Sequence, residues 1–156
     1  MPRPDLDVLA EGDLPTGQHW ILKAGGTRAD DFYTFLETIH PDGHRDEGGM
    51  GGPPLCPGSL MNTYTGGSDQ GLRRVVVRAD PRVARVRVQL ASGEQLDLPP
   101  LATRSDVGVS FFAALLARTA ELASVTAIGA DGQILEPQGL SRHEESWQRF
   151  LRRHGQ

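Results

Sequence analysis

The sequence predicts a mainly β, antiparallel sandwich, and three observations predict it. Asp42-Gly43, Ser92-Gly93 and Asp131-Gly132 are short turn signals, each set between runs of strand character. Asp-Gly suits a tight hairpin because Gly accepts positive φ freely and Asp tolerates it better than most residues; Ser-Gly is the weaker relative. Val86, Val88 and Leu90 alternate with Arg85, Arg87 and Gln89, so one face of that run is apolar and the other polar, and Leu96-Asp97-Leu98 repeats the alternation after the turn. A chain of 156 residues fits one domain with a core large enough to need no staple. Roughly seven to nine strands are expected on the sandwich pattern.

Taken in order, residues 1–17 hold Pro2, Pro4, Gly12 and Pro15 among several acids and are expected to be a flexible tail. The sandwich domain is expected over residues 18–140. Residues 19–24 read as its first strand, ending at Gly25-Gly26. Residues 32–40 are open to two readings: Phe32, Phe35, Leu36 and Ile39 match helical spacing, whereas the aromatic and Thr content and the turn that follows favour a strand. From Glu47 to Gly58 glycines and prolines are dense enough to predict a loop. Residues 60–65 and 73–79 read as strands, the second carrying Val75-Val76-Val77 and broken by Asp80-Pro81. The hairpin of residues 83–98 stops at Pro99-Pro100. Residues 107–116 read as a strand, although their Ala and Leu content also suits a helix, and residues 124–128 and 133–136 form the last hairpin. Over residues 141–154 the period changes to that of an amphipathic helix. Ser141 with Glu144 forms a capping box, acids precede and Arg152, Arg153 and His154 follow, and Trp147, Phe150 and Leu151 share one side. That stripe is expected to dock on the sandwich.

Composition limits the partners. Cys56 is the single cysteine, which excludes an internal disulfide and fits a reducing compartment. No run approaches the apolar length of a membrane span and no leader pattern opens the chain, so a cytoplasmic protein with no membrane partner is expected. Of the 16 basic residues only Lys23 is lysine. Acids outnumber bases up to residue 70 and bases outnumber acids beyond it, so the two halves can attract. Arg73, Arg74, Arg78, Arg82, Arg85 and Arg87 fall within residues 73–87. They read first as a solvated outer face paired with acids, and second as an anion-binding face. A net charge of −4 and the absence of interleaved aromatics argue against nucleic acid.

Chemistry is sparse. His40, Asp42, His44, Asp46 and Glu47 have metal-ligand side chains, but a two-residue turn at Asp42-Gly43 would send His40 and His44 to opposite faces. A three-residue turn would instead bring His40 opposite Asp46 and leave room for a two-ligand site. The spacing matches no zinc signature. Cys56 lies between Leu55 and Pro57 with no base or oxyanion donor in view, and reads as a small buried residue. Ser59 follows Gly58 but is followed at two residues by Met61, so there is no nucleophile elbow. The run from Gly48 to Gly52 offers amides for an anion but lacks the Lys-Ser/Thr ending of a phosphate loop. No catalytic set and no cofactor are therefore expected.

The succession Phe32-Tyr33-Thr34-Phe35-Leu36, Pro41-Asp42-Gly43, Gly48-Gly49-Met50-Gly51-Gly52-Pro53, Pro57-Gly58, Asp80-Pro81-Arg82-Val83-Ala84-Arg85-Val86, Ser92-Gly93, Phe111-Phe112-Ala113, Val125 and Ala130-Asp131-Gly132 resembles a group of uncharacterised actinobacterial proteins over about residues 18–136. The resemblance implies an immunoglobulin-like β-sandwich in the second half and carries no active site. The expected function is a non-catalytic interaction module that binds another protein, with a homo-oligomer allowed. Interaction candidates are Arg73, Arg74, Arg85, Arg87, Trp147 and Phe150. Small-molecule or anion binding through the Gly-rich loop or the Arg face is the alternative, and a metal-dependent enzyme built on His40, His44 and Asp46 is the third.

Overall fold

The structure is a computed structural model that describes residues 6–26, 31–67 and 71–138. Within them the chain is mainly β, with twelve strands: β1 (Asp7–Asp13), β2 (His19–Gly26), β3 (Phe32–Ile39), β4 (Arg45–Met50), β5 (Met61–Gly66), β6 (Arg73–Ala79), β7 (Val83–Leu90), β8 (Gln95–Leu98), β9 (Ala102–Arg104), β10 (Val109–Leu116), β11 (Leu122–Gly129) and β12 (Ile134–Gln138). They form three antiparallel four-stranded sheets, ordered β1-β2-β3-β4, β5-β6-β10-β9 and β12-β11-β7-β8. We call these the first, middle and third sheets.

The sheets stack in three layers around two cores. Met61, Val75, Val77 and Phe112 of the middle sheet pack on Val86, Val88, Leu122 and Val125 of the third. Val76, Val109 and Phe111 of the middle sheet pack on Leu22, Ala24, Phe32 and Leu36 of the first. A strand with both faces covered loses the alternation of a surface strand and reads as a continuous apolar run. Val75-Val76-Val77 is that run, and every residue of β6 is buried. Val86, Val88, Phe111 and Val125 are buried, whereas Leu90, Leu96 and Leu98 are partly buried against the core between the middle and third sheets. Phe111 belongs to the other core.

Four hairpins close in the same way, and not as two-residue turns. In each, a three-residue loop ends in a glycine at positive φ: Gly17, Gly43, Gly93 and Gly132, at 98°, 91°, 97° and 87°. The glycine N–H donates to the residue before the loop, and that residue's N–H donates to the residue after it, as in the pairs Leu14/Gln18, His40/His44, Leu90/Glu94 and Gly129/Gln133. This is the three-residue hairpin in which only the last loop position needs the left-handed conformation. No residue other than glycine has positive φ among those described. Asp42, Ser92 and Asp131 instead use their side-chain oxygens to accept the N–H of His44, Glu94 and Gln133, two residues on.

Several expectations are corrected. Residues 7–13 of the expected tail form β1, paired with β2 from Asp7↔Ala24 to Asp13↔His19; Pro2 and Pro4 precede that strand and Pro15 enters its hairpin loop, so none interrupts the ladder. Residues 47–50 of the expected loop belong to β4, which pairs with β3 from Ile39↔Arg45 to Thr34↔Met50. Glycine is required there by close approach, since a Cβ on Gly49 would sit 1.9 Å from the Thr34 carbonyl oxygen. Residues 32–39 are a strand, and so are residues 109–116. The twelve strands exceed the expected count because β1, β4 and the three-residue β9 were not read as strands. The expected helix at 141–154, with Trp147 and Phe150, lies outside the described residues.

Candidate functional site

The arginines do not form one face. β6 lies in the middle layer, so Arg73, Arg74 and Arg78 are buried at 0%, 3% and 0% exposure, and the expected solvated row is corrected by the layer that covers it. Arg85 is exposed on β7 of the third sheet, and Arg87 pairs with Asp97 at 2.9 Å. The buried guanidiniums are held by backbone carbonyls. Arg74 Nε donates to the Leu36 carbonyl at 3.0 Å. Arg78 Nη1 donates to the Phe32 carbonyl and the Thr34 hydroxyl, each at 3.1 Å, and Nη2 to the Gly51 and Pro53 carbonyls, each at 2.9 Å. Its guanidinium also lies 5.4 Å from the centre of the Phe32 ring. Burial pushes the Arg78 pKa down to about 10, and it lowers that of Arg74 as well. Arg73 Nη1 donates to the Ala120 carbonyl on the other side of the sheet. These side chains bind the layers together.

His40, His44 and Asp46 converge, contrary to the opposite-face expectation, because the loop at Asp42-Gly43 has three residues and makes His40 and His44 a closing pair. Their rings stack with centroids 5.6 Å apart. Asp46 bridges them, with Oδ2 2.7 Å from His40 Nε2 and Oδ1 3.1 Å from His44 Nε2. Burial pushes the Asp46 carboxyl up, but the His40 hydrogen bond and the charges of Arg74, His44 and His40 outweigh it and hold the pKa below the ordinary value. With both oxygens engaged and the Arg74 cation nearby, the carboxylate has neighbours that oppose a metal cation. No group of three or more His, Cys, Asp or Glu among the described residues is arranged to hold one.

The Gly-rich segment does not form an anion nest either. Gly48 and Gly49 belong to β4, and the carbonyls of Gly51 and Pro53 point at Arg78. Cys56 is exposed rather than buried, because its loop is hung at the surface from Asn62, whose Oδ1 accepts the Cys56 N–H at 3.3 Å.

A site not foreseen lies at one edge of the middle sheet. β9 pairs with β10 only from Val109↔Arg104 to Phe111↔Ala102, so no strand among the described residues flanks β10 beyond Phe111. The Phe111 carbonyl accepts the Leu101 N–H on that flank. By the two-residue alternation of a strand, the main-chain groups of Ala113 and Leu115 project the same way. An apolar slot of about 250 Å³ opens there. Its lining draws on both cores: Trp20, Leu36, Leu101, Ala113 and Leu115 belong to the one between the first and middle sheets and Leu98 and Ala114 to the other, with Leu14 of the β1–β2 turn completing it. The signal that could have found it is Pro99-Pro100. The pair ends β8 in the third sheet, and the chain re-enters the middle sheet as a strand too short to cover β10.

The chain matches no protein-family profile, no curated protein and no solved structure. No helix among the described residues is long and apolar enough to cross a membrane.

Proposed function

We propose that the protein is a non-catalytic interaction module that receives an extended apolar segment of a partner protein in the slot beside β10. The supporting observation is the flank of β10 from Ala113 to Leu115, along which no strand among the described residues pairs and beside which the apolar slot opens. Main-chain donors and acceptors along a sheet edge are complementary to another strand, and pockets on both sides would take its alternate side chains. Two or three apolar side chains contribute roughly 1.5–3 kcal/mol each, against an association cost of at least about 4 kcal/mol, so binding is weak to moderate. The proposal extends to an immunoglobulin-like sandwich over β5–β12, to the likeness with uncharacterised actinobacterial proteins, to a helix over residues 141–154 and to a cytoplasmic location. Supporting these are the two packed four-stranded sheets and the sequence patterns above.

The test is selection of peptides from a displayed random library on the intact chain, followed by titration monitored by amide chemical shifts. Selected peptides are expected to shift Ala113–Leu115 and Trp20. Their binding should be lost on Ala113→Phe, which fills the slot, and kept on Arg85→Ala. Peptides that shift only the outer face of the third sheet would overturn the reading.

A further inference from the structure

We infer that the slot beside β10 is also a small-molecule site, which takes a flat, uncharged ring compound carrying an N–H next to a carbonyl on one edge, as a cyclic amide does. The inference goes beyond the partner segment, since its ligand is not a peptide, and it makes that ligand a competitor of the segment. The place of the slot sets the shape of the ligand. Trp20 and Leu36 belong to the first sheet, Leu98 to the third and Ala113, Ala114 and Leu115 to the middle one, so the slot prolongs the plane of the middle sheet past β10, between the two outer layers. Sheets stack about 10 Å apart, and a gap one strand thick in that plane admits a flat molecule. Trp20 gives it a fixed aromatic boundary, because its ring lies against β1, where a Cβ on Gly12 would be 2.9 Å from Cζ2.

Main-chain chemistry sets the polar edge of the ligand. Phe111 pairs with Ala102, and its carbonyl accepts the Leu101 N–H. Two and four residues further on, the N–H and carbonyl of Ala113 and of Leu115 face the slot, and no strand among the described residues pairs with them there. In an antiparallel ladder a residue so placed donates its N–H to the residue opposite and accepts that residue's N–H in return. A cyclic amide holds one donor and one acceptor side by side and takes the place of that opposite residue, without the ordering cost of a flexible chain. Size and charge select the rest. The slot measures about 250 Å³, below the roughly 300–1,000 Å³ of pockets for drug-sized ligands, so it suits one or two fused rings. Its lining side chains are leucines, alanines and Trp20, and with no counter-charge among them an ionised ligand would be desolvated without compensation.

The test uses 2-quinolinone, a two-ring cyclic amide, titrated into the intact chain and followed by amide chemical shifts. It is expected to bind with a dissociation constant of roughly millimolar or tighter, the scale for a ligand of its size, and to move the Ala113 or Leu115 amide proton downfield together with the Trp20 indole signal. Quinoline, which keeps the two rings but has no N–H, and 1-methyl-2-quinolinone, in which the N–H is blocked, should bind at least about tenfold more weakly, because a main-chain carbonyl is left without a donor. These comparisons are made on one unaltered protein, so they stand even if Ala113→Phe, which should abolish binding by filling the slot, perturbs folding. Equal binding of the three compounds, or no movement of either amide at millimolar 2-quinolinone, would overturn the inference. The two proposals fail separately. Selected peptides that bind at Ala113–Leu115 while 2-quinolinone does not would leave the module standing and remove its small ligand. Binding of 2-quinolinone at those amides with no peptide selected would keep the ligand site and remove the partner segment. Where both bind, 2-quinolinone should displace the peptides; simultaneous binding without competition would overturn the inference by placing the ring compound elsewhere.

Discussion

The two faces of β6 solve the same burial problem differently. Toward the third sheet Val75, Val77 and Ala79 meet an apolar surface, and layer joins layer mainly by exclusion of water, with the Arg73–Ala120 hydrogen bond at its margin. Toward the first sheet Arg74 and Arg78 flank Val76, and the joint is made by guanidinium N–H groups on the backbone carbonyls of β3 and of the segment after β4. A dry interface tolerates apolar exchange of similar volume. A carbonyl-bonded cation does not, since its buried acceptors, the Leu36 and Phe32 carbonyls and the Thr34 hydroxyl, lose their donor when it goes. The first sheet is thus tied to a specific position on the middle one, while the third is held mainly by area.

The sharpest way to break the comparison is a charge in the dry interface. Val88 is fully buried, and an unpaired carboxylate there costs more than about 4 kcal/mol, a large share of the roughly 5–15 kcal/mol of a whole domain. Val88→Asp is expected to unfold the protein in urea-free buffer, read by far-UV circular dichroism. Its neighbour Arg87→Ser loses only a half-exposed pair with Asp97 and should cost less than about 1 kcal/mol. At the polar joint, Arg78→Met should cost about 2–4 kcal/mol by urea titration, because the buried Phe32 carbonyl and Thr34 hydroxyl lose their donor. Amide exchange should rise around residues 51–53 before it rises in the third sheet. Equal loosening of both sheets would show that the arginine is not a local tie.

A smaller effect is expected from Gly49→Ala. Its Cβ must displace the Thr34 carbonyl, so β3 and β4 have to part locally, at about 1–3 kcal/mol. The position also shows where the sequence was legible. The strands of residues 73–98 could be read because alternation and turn residues speak about their own segment. Gly48 and Gly49 could not, since glycine reads as a breaker until the close approach to β3 is known. The buried arginines were misread for the same reason: nothing in Arg73-Arg74 says that sheets cover both faces of their strand. The His40–Asp46–His44 contact turned on a loop of three residues rather than two. The slot depends on where β9 stops, for which Pro99-Pro100 was a clue that could be used only with the register of β10 in hand.

The smallest expected effect separates two hairpin ends of the first sheet by pH. On the β1–β2 hairpin, His19 Nδ1 lies 2.8 Å from Asp13 and Nε2 lies 2.9 Å from Glu11. The Asp13 hydrogen bond, followed by that of Glu11, raises its pKa above 6.5. A raised folded-state value means that the protonated form is favoured by folding, so the contribution is fully present below pH 6.5 and is lost as pH rises through the folded-state pKa. On the β3–β4 hairpin, Asp46 is held below 3.8, so its contribution is present above that value and is lost as pH falls through the lower folded-state pKa. Melting temperatures of the parent, His19→Gln and Asp46→Asn between about pH 3 and pH 8 should therefore show opposite trends. The His19→Gln deficit should shrink toward high pH, and the Asp46→Asn deficit should shrink toward low pH. Because His19 is solvent-exposed, the first trend should also fade in high salt, whereas the second should persist with Asp46 largely shielded from water. A His19→Gln deficit that grew with pH would mean that the neutral imidazole is the form the fold prefers, and the carboxylate clamp on β1 would have to be abandoned.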